Sequence, residues 1–369
     1  MTSTVPSDPT GDDMTGDDMT GDDLTGDDMA GDGAYREMAE LGVGALWRHL
    51  GNLFTTEPIS RAVPFHWSYR ALRPYMLHFA GALSIEEAQR RVLMLVNPGL
   101  REQSATATGL YAGIQVILPG EQAQAHRHTS NAFRFIIEGS GAYTTVAGER
   151  VHMHPGDLLL TPGWRWHDHY HEGDGPMMWL DGLDFPLVNA LDTGFFELYP
   201  ETAQPASVPD GLSSRQFIHG RLNPAWVSER TVSSPIGNYP WTETQRAFES
   251  IADSAAGSAV DGVLLEYTNP WNGGPVLPTM SCRIQRLAPG FRGAARRHTA
   301  ATILHVVRGE GTTVVDGEEF HWAEHDVLTV PSWASYQHVN SSRSAAAVLF
   351  SYTNEPVVRA LGLYREQLL

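Results

Sequence analysis

Two blocks of this chain can be laid over one another almost without gaps, and that echo constrains the fold more than any other feature. The block MSCRIQRLAPGFRGAARRHTAATILHVVRGEGTTVVDGEEFHWAEHDVLTVPSWASYQH falls on the stretch ending at His169, with His298 on His128, Gly309 on Gly139, Asp326 on Asp157 and Pro331 on Pro162. The offset is 170 residues at the first pair and 169 at the last, nearly half of a 369-residue chain. So large a shift with so little slippage predicts a duplicated β domain. Within each copy, short runs of Val, Ile, Leu, Thr and Tyr are separated by turn residues, and the chain holds 36 Gly and 23 Pro. That texture predicts an all-β fold of two β-barrel domains, preceded by a helical N-terminal region.

The expected organisation has five parts. Residues 1–33 form an acidic tail built on a pentapeptide repeat (GDDMT twice, then GDDLT and GDDMA), which has almost nothing to bury and should be disordered. Its Asp pairs lack the spacing and closing Glu of an EF-hand loop, so a solubilising extension is the plainer reading. Residues 34–100 read as helical and irregular. Helical spacing runs from Tyr35 to Leu50, weakened by Gly42 and Gly44, and again from Ser84 to Val92 behind a capping pattern. Residues 101–200 form the first β domain, 201–260 a turn-rich linker with one helix near Thr242 to Ile251, and 261–369 the second domain.

Net charge is formally −18, which disfavours a nucleic-acid backbone as partner. Ten of those charges sit on Asp8 and the nine aspartates from Asp12 to Asp32, leaving about −8 elsewhere, ordinary for a soluble protein. Cys282 is the single cysteine, so no internal disulfide or thiolate cluster is available. No signal-like start and no apolar run of membrane-spanning length is visible, so a cytoplasmic protein without membrane contact is expected.

Chemistry concentrates in the first copy. In AHRHT, His126 and His128 are two apart, and the period of a strand puts both rings on one face. The stretch GDLLLTPGWRWHDH brings His167 onto a neighbouring strand between turn signals at Gly156-Asp157 and Pro162-Gly163. Three neutral imidazoles leave half of an octahedron open, as a catalytic site requires, and suit iron, nickel, copper or zinc rather than magnesium or calcium. His169, two beyond His167, is a fourth ligand or, better, a group that exchanges a proton with substrate or orients a ligand. The second copy carries Arg296 in place of His126 and Tyr336 in place of His167, so only His298 remains of the triad there. That domain is expected to be structural.

On the residues Gly120, His126, His128, Gly156, Pro162, Gly163 and His167, with LYAGIQ, FRFIIEG and DGLD beside them, the chain resembles the bicupin gentisate 1,2-dioxygenases and their salicylate and 1-hydroxy-2-naphthoate dioxygenase relatives. The resemblance runs from about Val96 to Arg365. General cupins add a glutamate ligand shortly after the paired histidines; here Asn131 or Ala132 stands instead, as in this dioxygenase family.

The resemblance implies a homotetrameric non-haem Fe(II) enzyme of aromatic catabolism. Its members use O2 to cleave gentisate (2,5-dihydroxybenzoate) to maleylpyruvate. It also implies that Arg134 and His169 hold substrate oxygens, that Gln115 and Asp181 lie near the ring, and that Tyr111 and Gly113 shape ring selectivity, Gly113 by leaving room. The residues alone agree in part. Arg134 keeps the inward parity of His128 within an apolar run, and a guanidinium grips a carboxylate through two charge-assisted hydrogen bonds. A neutral His169 could take the proton of a substrate hydroxyl, or merely pack. Asp181 either orients an imidazole or meets substrate, and Gln115 either faces the cavity or serves as a structural amide. An aromatic ortho-hydroxy carboxylate and O2 are the expected partners. Salicylate or 1-hydroxy-2-naphthoate as substrate, or a non-catalytic cupin that binds a small acid, are the alternatives.

Overall fold

The computed structural model describes residues 28–88, 90–217, 224–227, 231–252 and 257–369. The described chain divides into two compact units, the first ending at Glu57 and the second running from Pro58 to Leu369. In the first, helices Asp28–Glu40 and Leu46–Leu53 replace the single helix expected from Tyr35 to Leu50. The break has a local cause. Gly42 adopts a left-handed φ of 71°, and Val43 and Gly42 donate their amides back to the carbonyls of Met38 and Ala39, the pattern that closes a helix at a glycine. The acidic tail expected over 1–33 lies outside the described residues as far as 27, and residues 28–33 belong to the first helix.

The all-β expectation is overturned. Among the described residues there are eight α-helices and one 3-10 helix, and the strands form four antiparallel sheets with open edges rather than closed barrels. Glycine, proline and β-branched residues dominate the two repeats, whereas the flanking segments obey helical spacing and form most of the helices. The helix Tyr69–Ala82 buries Tyr69, Met76 and Ala80, and Trp241–Ala252 matches the linker helix expected near Thr242 to Ile251. None of the described helices is long and apolar enough to cross a membrane.

Each repeat contributes a six-stranded and a five-stranded sheet. In the first, the larger sheet runs in the order Asn238–Tyr239, Leu158–Thr161, Ala132–Glu138, Met177–Leu183, Tyr111–Ile117, Arg91–Met94. The smaller runs Phe196–Leu198, Gln122–His128, His167–His171, Ala142–Val146, Glu149–His152. The second repeat reproduces the smaller sheet in the same order, Glu366–Leu368, Arg296–His298, Tyr336–Val339, Gly311–Val315, Glu318–Trp322.

Strand alternation explains how the larger sheet is buried on both faces. Ile117, Ile136, Met177 and Trp179 pack with Ala142 and Val151 of the smaller sheet, enclosing the interior of the first repeat. Their neighbours Val116, Phe133, Phe135, Met178 and Leu180 point the other way, into a core shared with Ile284, Ile303, Phe350 and Tyr352 of the second repeat. Phe135 stacks on Phe350 with centroids 4.2 Å apart, and Phe133 meets Tyr352 edge-on at 4.7 Å. Aromatic pairs of this kind add about 0.5–1.5 kcal/mol each beyond their area.

The repeats also exchange edges. Phe65–Trp67, which precedes the first repeat, pairs with Val327–Thr329 of the second. Asn238–Tyr239 from the linker pairs with Leu158 and Leu159 of the first. Two buried carboxylates fasten these additions. Asp326 accepts from the Tyr69 amide at 2.8 Å and meets His66 at 2.8 Å, and Asp157 accepts from the Trp241 amide at 2.7 Å.

Candidate metal centre

The three histidines converge in the first repeat. His126 and His167 are direct cross-strand partners, with ring centroids 4.0 Å apart, and His128 lies 4.9 Å from His167. One nitrogen of each lies within 4.8 Å of the others. Each Nδ1 is spent on a nearby backbone carbonyl: His126 on Gln124 at 2.8 Å, His128 on Ser130 at 2.8 Å, His167 on Arg165 at 2.9 Å. A nitrogen facing a carbonyl must carry the proton, so all three Nε2 lone pairs are free. The Nε2 atoms of His126 and His167 are buried without a protein partner among the described residues, a costly state that a metal ion would relieve.

Electrostatics keep these rings neutral. Burial, reinforced by the nearby Arg90, holds His126 down to about 2, and burial holds His128 down to about 4. Burial, with the two other ligand rings, pushes His167 well below its ordinary value. A neutral imidazole is the form that binds a metal.

Of the expected substrate groups, Arg134 lies near enough for its charge to act on all three triad rings. Arg134 is buried, donates to Thr161 Oγ1 at 2.5 Å, and lies 3.4 Å from Asp181, its partner across the paired strands. Trp179 Nε1 donates to the same Asp181 oxygen at 3.0 Å. Burial raises the Asp181 carboxyl, and the Arg134 guanidinium opposes that rise. Gln115 is buried with its Nε2 unpartnered among the described residues, and Tyr111 packs on Phe185 with centroids 4.8 Å apart. The room beside Gly113 is already taken. A Cβ there would lie 2.3 Å from the Tyr111 hydroxyl and 2.6 Å from Val92 Cγ1. Asn131, at the place of the glutamate ligand of general cupins, is turned away, accepting from the Gly163 amide at 3.0 Å and donating to Asp184 at 2.9 Å.

Sequence reasoning missed Arg90. Its charge acts on His126, His128, His169 and Asp181, and burial together with repulsion from Arg134 lowers it to about 10. The signal was an Arg-Arg pair at the head of the apolar run RVLML. It was absorbed into a helix expected as far as Val92, whereas the helix is Ile85–Ala88 and a strand begins at Arg91.

In the second repeat, Arg296 faces Tyr336 in the register that joins His126 to His167. Its guanidinium donates to the Tyr336 hydroxyl at 2.8 Å and pairs with Asp261 at 2.7 Å, and His298 meets the same hydroxyl at 3.0 Å. A cation of the chain's own occupies that junction. A cavity of about 470 Å³ lined by Phe217, Tyr239, Thr244 and Tyr267 shares no residue with the triad, and among the described residues it has no comparable set of convergent metal donors.

The Cupin domain family model matches residues 113–182 and again 283–352, the two repeats. Over 332 residues, the chain is 39% identical to gentisate 1,2 dioxygenase 1 of Aquipseudomonas alcaligenes, covering 90% of this chain and 94% of the relative. The chain belongs to the gentisate and salicylate 1,2-dioxygenase family of bicupins. This dioxygenase is also 40% identical over 338 residues to a 5-aminosalicylate 1,2-dioxygenase of Comamonas sp, covering 90% and 89% of the two chains. Among solved structures it matches the salicylate 1,2-dioxygenase of Pseudoaminobacter salicylatoxidans in its gentisate adduct. That match has a TM-score of 0.87 at 34% identity and covers 94% of this chain and 96% of the other. It is therefore an oxidoreductase of the ring-cleaving type, with a buried three-histidine cluster able to hold a metal ion.

Proposed function

We propose that this dioxygenase holds Fe(II) on His126, His128 and His167 and uses O2 to open monocyclic ortho-hydroxybenzoates, salicylate as well as gentisate. The bond cleaved would join the carboxyl-bearing carbon to the adjacent hydroxyl-bearing carbon, so gentisate would give maleylpyruvate. The observation that carries this reading is the set of three Nε2 lone pairs converging beside the buried Arg134, with each Nδ1 tied to a carbonyl. Three neutral ligands leave a ferrous ion its full charge and open positions. When bound, such an ion would bring an electron-rich aromatic chelate and dioxygen together and carry electron density between them.

The chain's own groups do the selecting. Arg90 and Arg134 put two guanidinium groups against the single carboxylate of Asp181, so the pocket favours a substrate that brings a carboxylate and a phenolate. Asp181, itself held by Trp179, fixes the Arg134 fork in place for a substrate carboxylate. Tyr111 folded over Gly113 against Val92 supports a one-ring substrate, because a fused second ring would need that space. The relatives include enzymes for gentisate, 5-aminosalicylate and 1-hydroxy-2-naphthoate, which supports a range of substrates and leaves the limit to one ring resting on the packing of Tyr111.

The test is anaerobic loading with Fe(II), followed by air and either gentisate, salicylate or 1-hydroxy-2-naphthoate, with oxygen uptake and ring-opened product recorded. Oxygen consumption with both monocyclic acids, and at least tenfold less with the naphthoate, is the expected result. Iron-loaded protein that consumes oxygen with none of them would point instead to a cupin that only binds small acids.

A further inference from the structure

His169 is held from behind by one hydroxyl. Thr144 and His169 face each other in the paired strands Ala142–Val146 and His167–His171, and Thr144 Oγ1 lies 2.8 Å from His169 Nδ1. Both side chains are buried, and among the described residues the Thr144 hydroxyl makes no other hydrogen bond. A buried hydroxyl proton is costly to leave without an acceptor, and among the described residues the one acceptor bonded to it is His169 Nδ1. If that nitrogen accepts, the single proton of the neutral ring sits on Nε2, which is buried and has no partner among the described residues. His169 lies beside the triad, its ring centroid 6.2 Å from that of His167 and 5.4 Å from that of Trp179.

Histidines two residues apart on one strand thus receive opposite instructions. At His167 a carbonyl draws the proton to Nδ1 and frees Nε2 for a metal; at His169 a hydroxyl sends the proton to Nε2. The second repeat keeps the same pair where the metal triad is lost. Thr313 Oγ1 lies 2.9 Å from His338 Nδ1, and there Trp322 Nε1 donates to Thr313 Oγ1 at 3.0 Å, which leaves the hydroxyl proton for the imidazole. We propose that Thr144 is a positioning residue that holds His169 as the Nε2–H tautomer, so that His169 donates a hydrogen bond to a substrate oxygen rather than accepting the proton of the substrate hydroxyl. The role of His169 toward substrate rests on the functional reading above; its tautomer does not.

Thr144→Val removes the hydroxyl at nearly constant volume, and Thr144→Ser retains it. In Zn(II)-substituted protein with ¹⁵N-labelled histidine, the His169 signals, assigned by their loss in His169→Gln, should show a protonated Nε2 and bare Nδ1 in the parent and Thr144→Ser. In Thr144→Val the two tautomers should mix. In the Fe(II) enzyme, Thr144→Val should lower kcat/KM for salicylate at least tenfold at unchanged iron content, with Thr144→Ser within threefold of the parent. A parent spectrum with the proton on Nδ1 would overturn the proposal. So would a Thr144→Val enzyme of parental kcat/KM, a Thr144→Ser enzyme as impaired as the valine variant, or losses that track iron content. A parent enzyme that turns over no ortho-hydroxybenzoate would overturn the functional reading and the donor role with it, while the tautomer would still be read from the spectrum.

Discussion

The hydroxyl of Tyr352, in the second repeat, donates to the backbone carbonyl of Tyr111, in the first, at 2.6 Å. The second repeat thereby reaches the backbone of a residue proposed to line the substrate site. Tyr352→Phe deletes only that bond and leaves a buried carbonyl short of a partner, at a cost of about 1–3 kcal/mol in stability. Because Tyr111 folds over Gly113, the variant should also change the ratio of kcat/KM for gentisate over salicylate while iron content stays constant. Steady-state kinetics on the two substrates, with a metal assay, check this.

Removing a ligand should be more severe than removing any group behind it. His167→Ala leaves two imidazoles, and metal affinity should fall by more than the roughly 10- to 100-fold typical of losing an outer hydrogen-bond partner. Competition against a chelator measures the loss. Chelation of the parent protein should lower its thermal midpoint, since an ion that binds only the folded chain stabilises it.

Arg134 and Asp181 are expected to separate into binding and folding roles. Arg134→Ala should raise the substrate requirement strongly with little change in metal content. It also takes from the buried Asp181 its nearest cation, leaving Trp179 and the more distant Arg90 to hold the carboxylate, at a cost below the roughly 3–5 kcal/mol of a fully unpaired buried charge. Pairing Arg134→Ala with Asp181→Asn should recover much of the stability and none of the substrate binding. Denaturant unfolding beside an anaerobic salicylate titration distinguishes the two effects.

Acid should destabilise the fold through buried histidines outside the triad. Burial holds His298 down to about 4, and His305 and His338 down to about 3, against an ordinary value of 6.5. The unfolded chain therefore takes up more protons below 6.5, so their contribution is complete above that pH and is lost as pH falls toward 4 and 3. Asp157, Asp184 and Asp261, raised by burial, act in the opposite sense above 3.8, so the histidines govern the upper part of the fall. Urea midpoints of the metal-free protein, in which His126, His128, His167 and His169 are likewise held down by burial and add to the same fall, should be flat from pH 8 to 7 and decline from about 6.5 downward.

The triad was legible because its geometry is local: two residues of strand period place His126 with His128, and turn residues bound the strand that brings His167. Arg134 and Asp181 were found as separate candidates, but their pairing depends on cross-strand register, which spacing along the chain does not reveal. Thr144 and Thr161 were hidden for the same reason. Arg90 was hidden by a genuine helical signal. Ser84 and Glu87 do form a reciprocal cap, with bonds of 3.0 and 3.1 Å, yet pairing of Arg91 with Val116 ends the helix early. Whole-chain composition points to an all-β class because the repeats dominate it, while the flanking segments answer to a different period and fold as helices.

The traded edges at Phe65–Trp67 and Asn238–Tyr239 bear on how such a molecule can be divided. A gene fragment spanning only one copy of the duplication would lack a ribbon that its counterpart's flanking sequence supplies, and would expose a raw sheet margin open to promiscuous pairing. The copy without the three-histidine set is thus built into the casing of its sibling, and neither closes its margins alone.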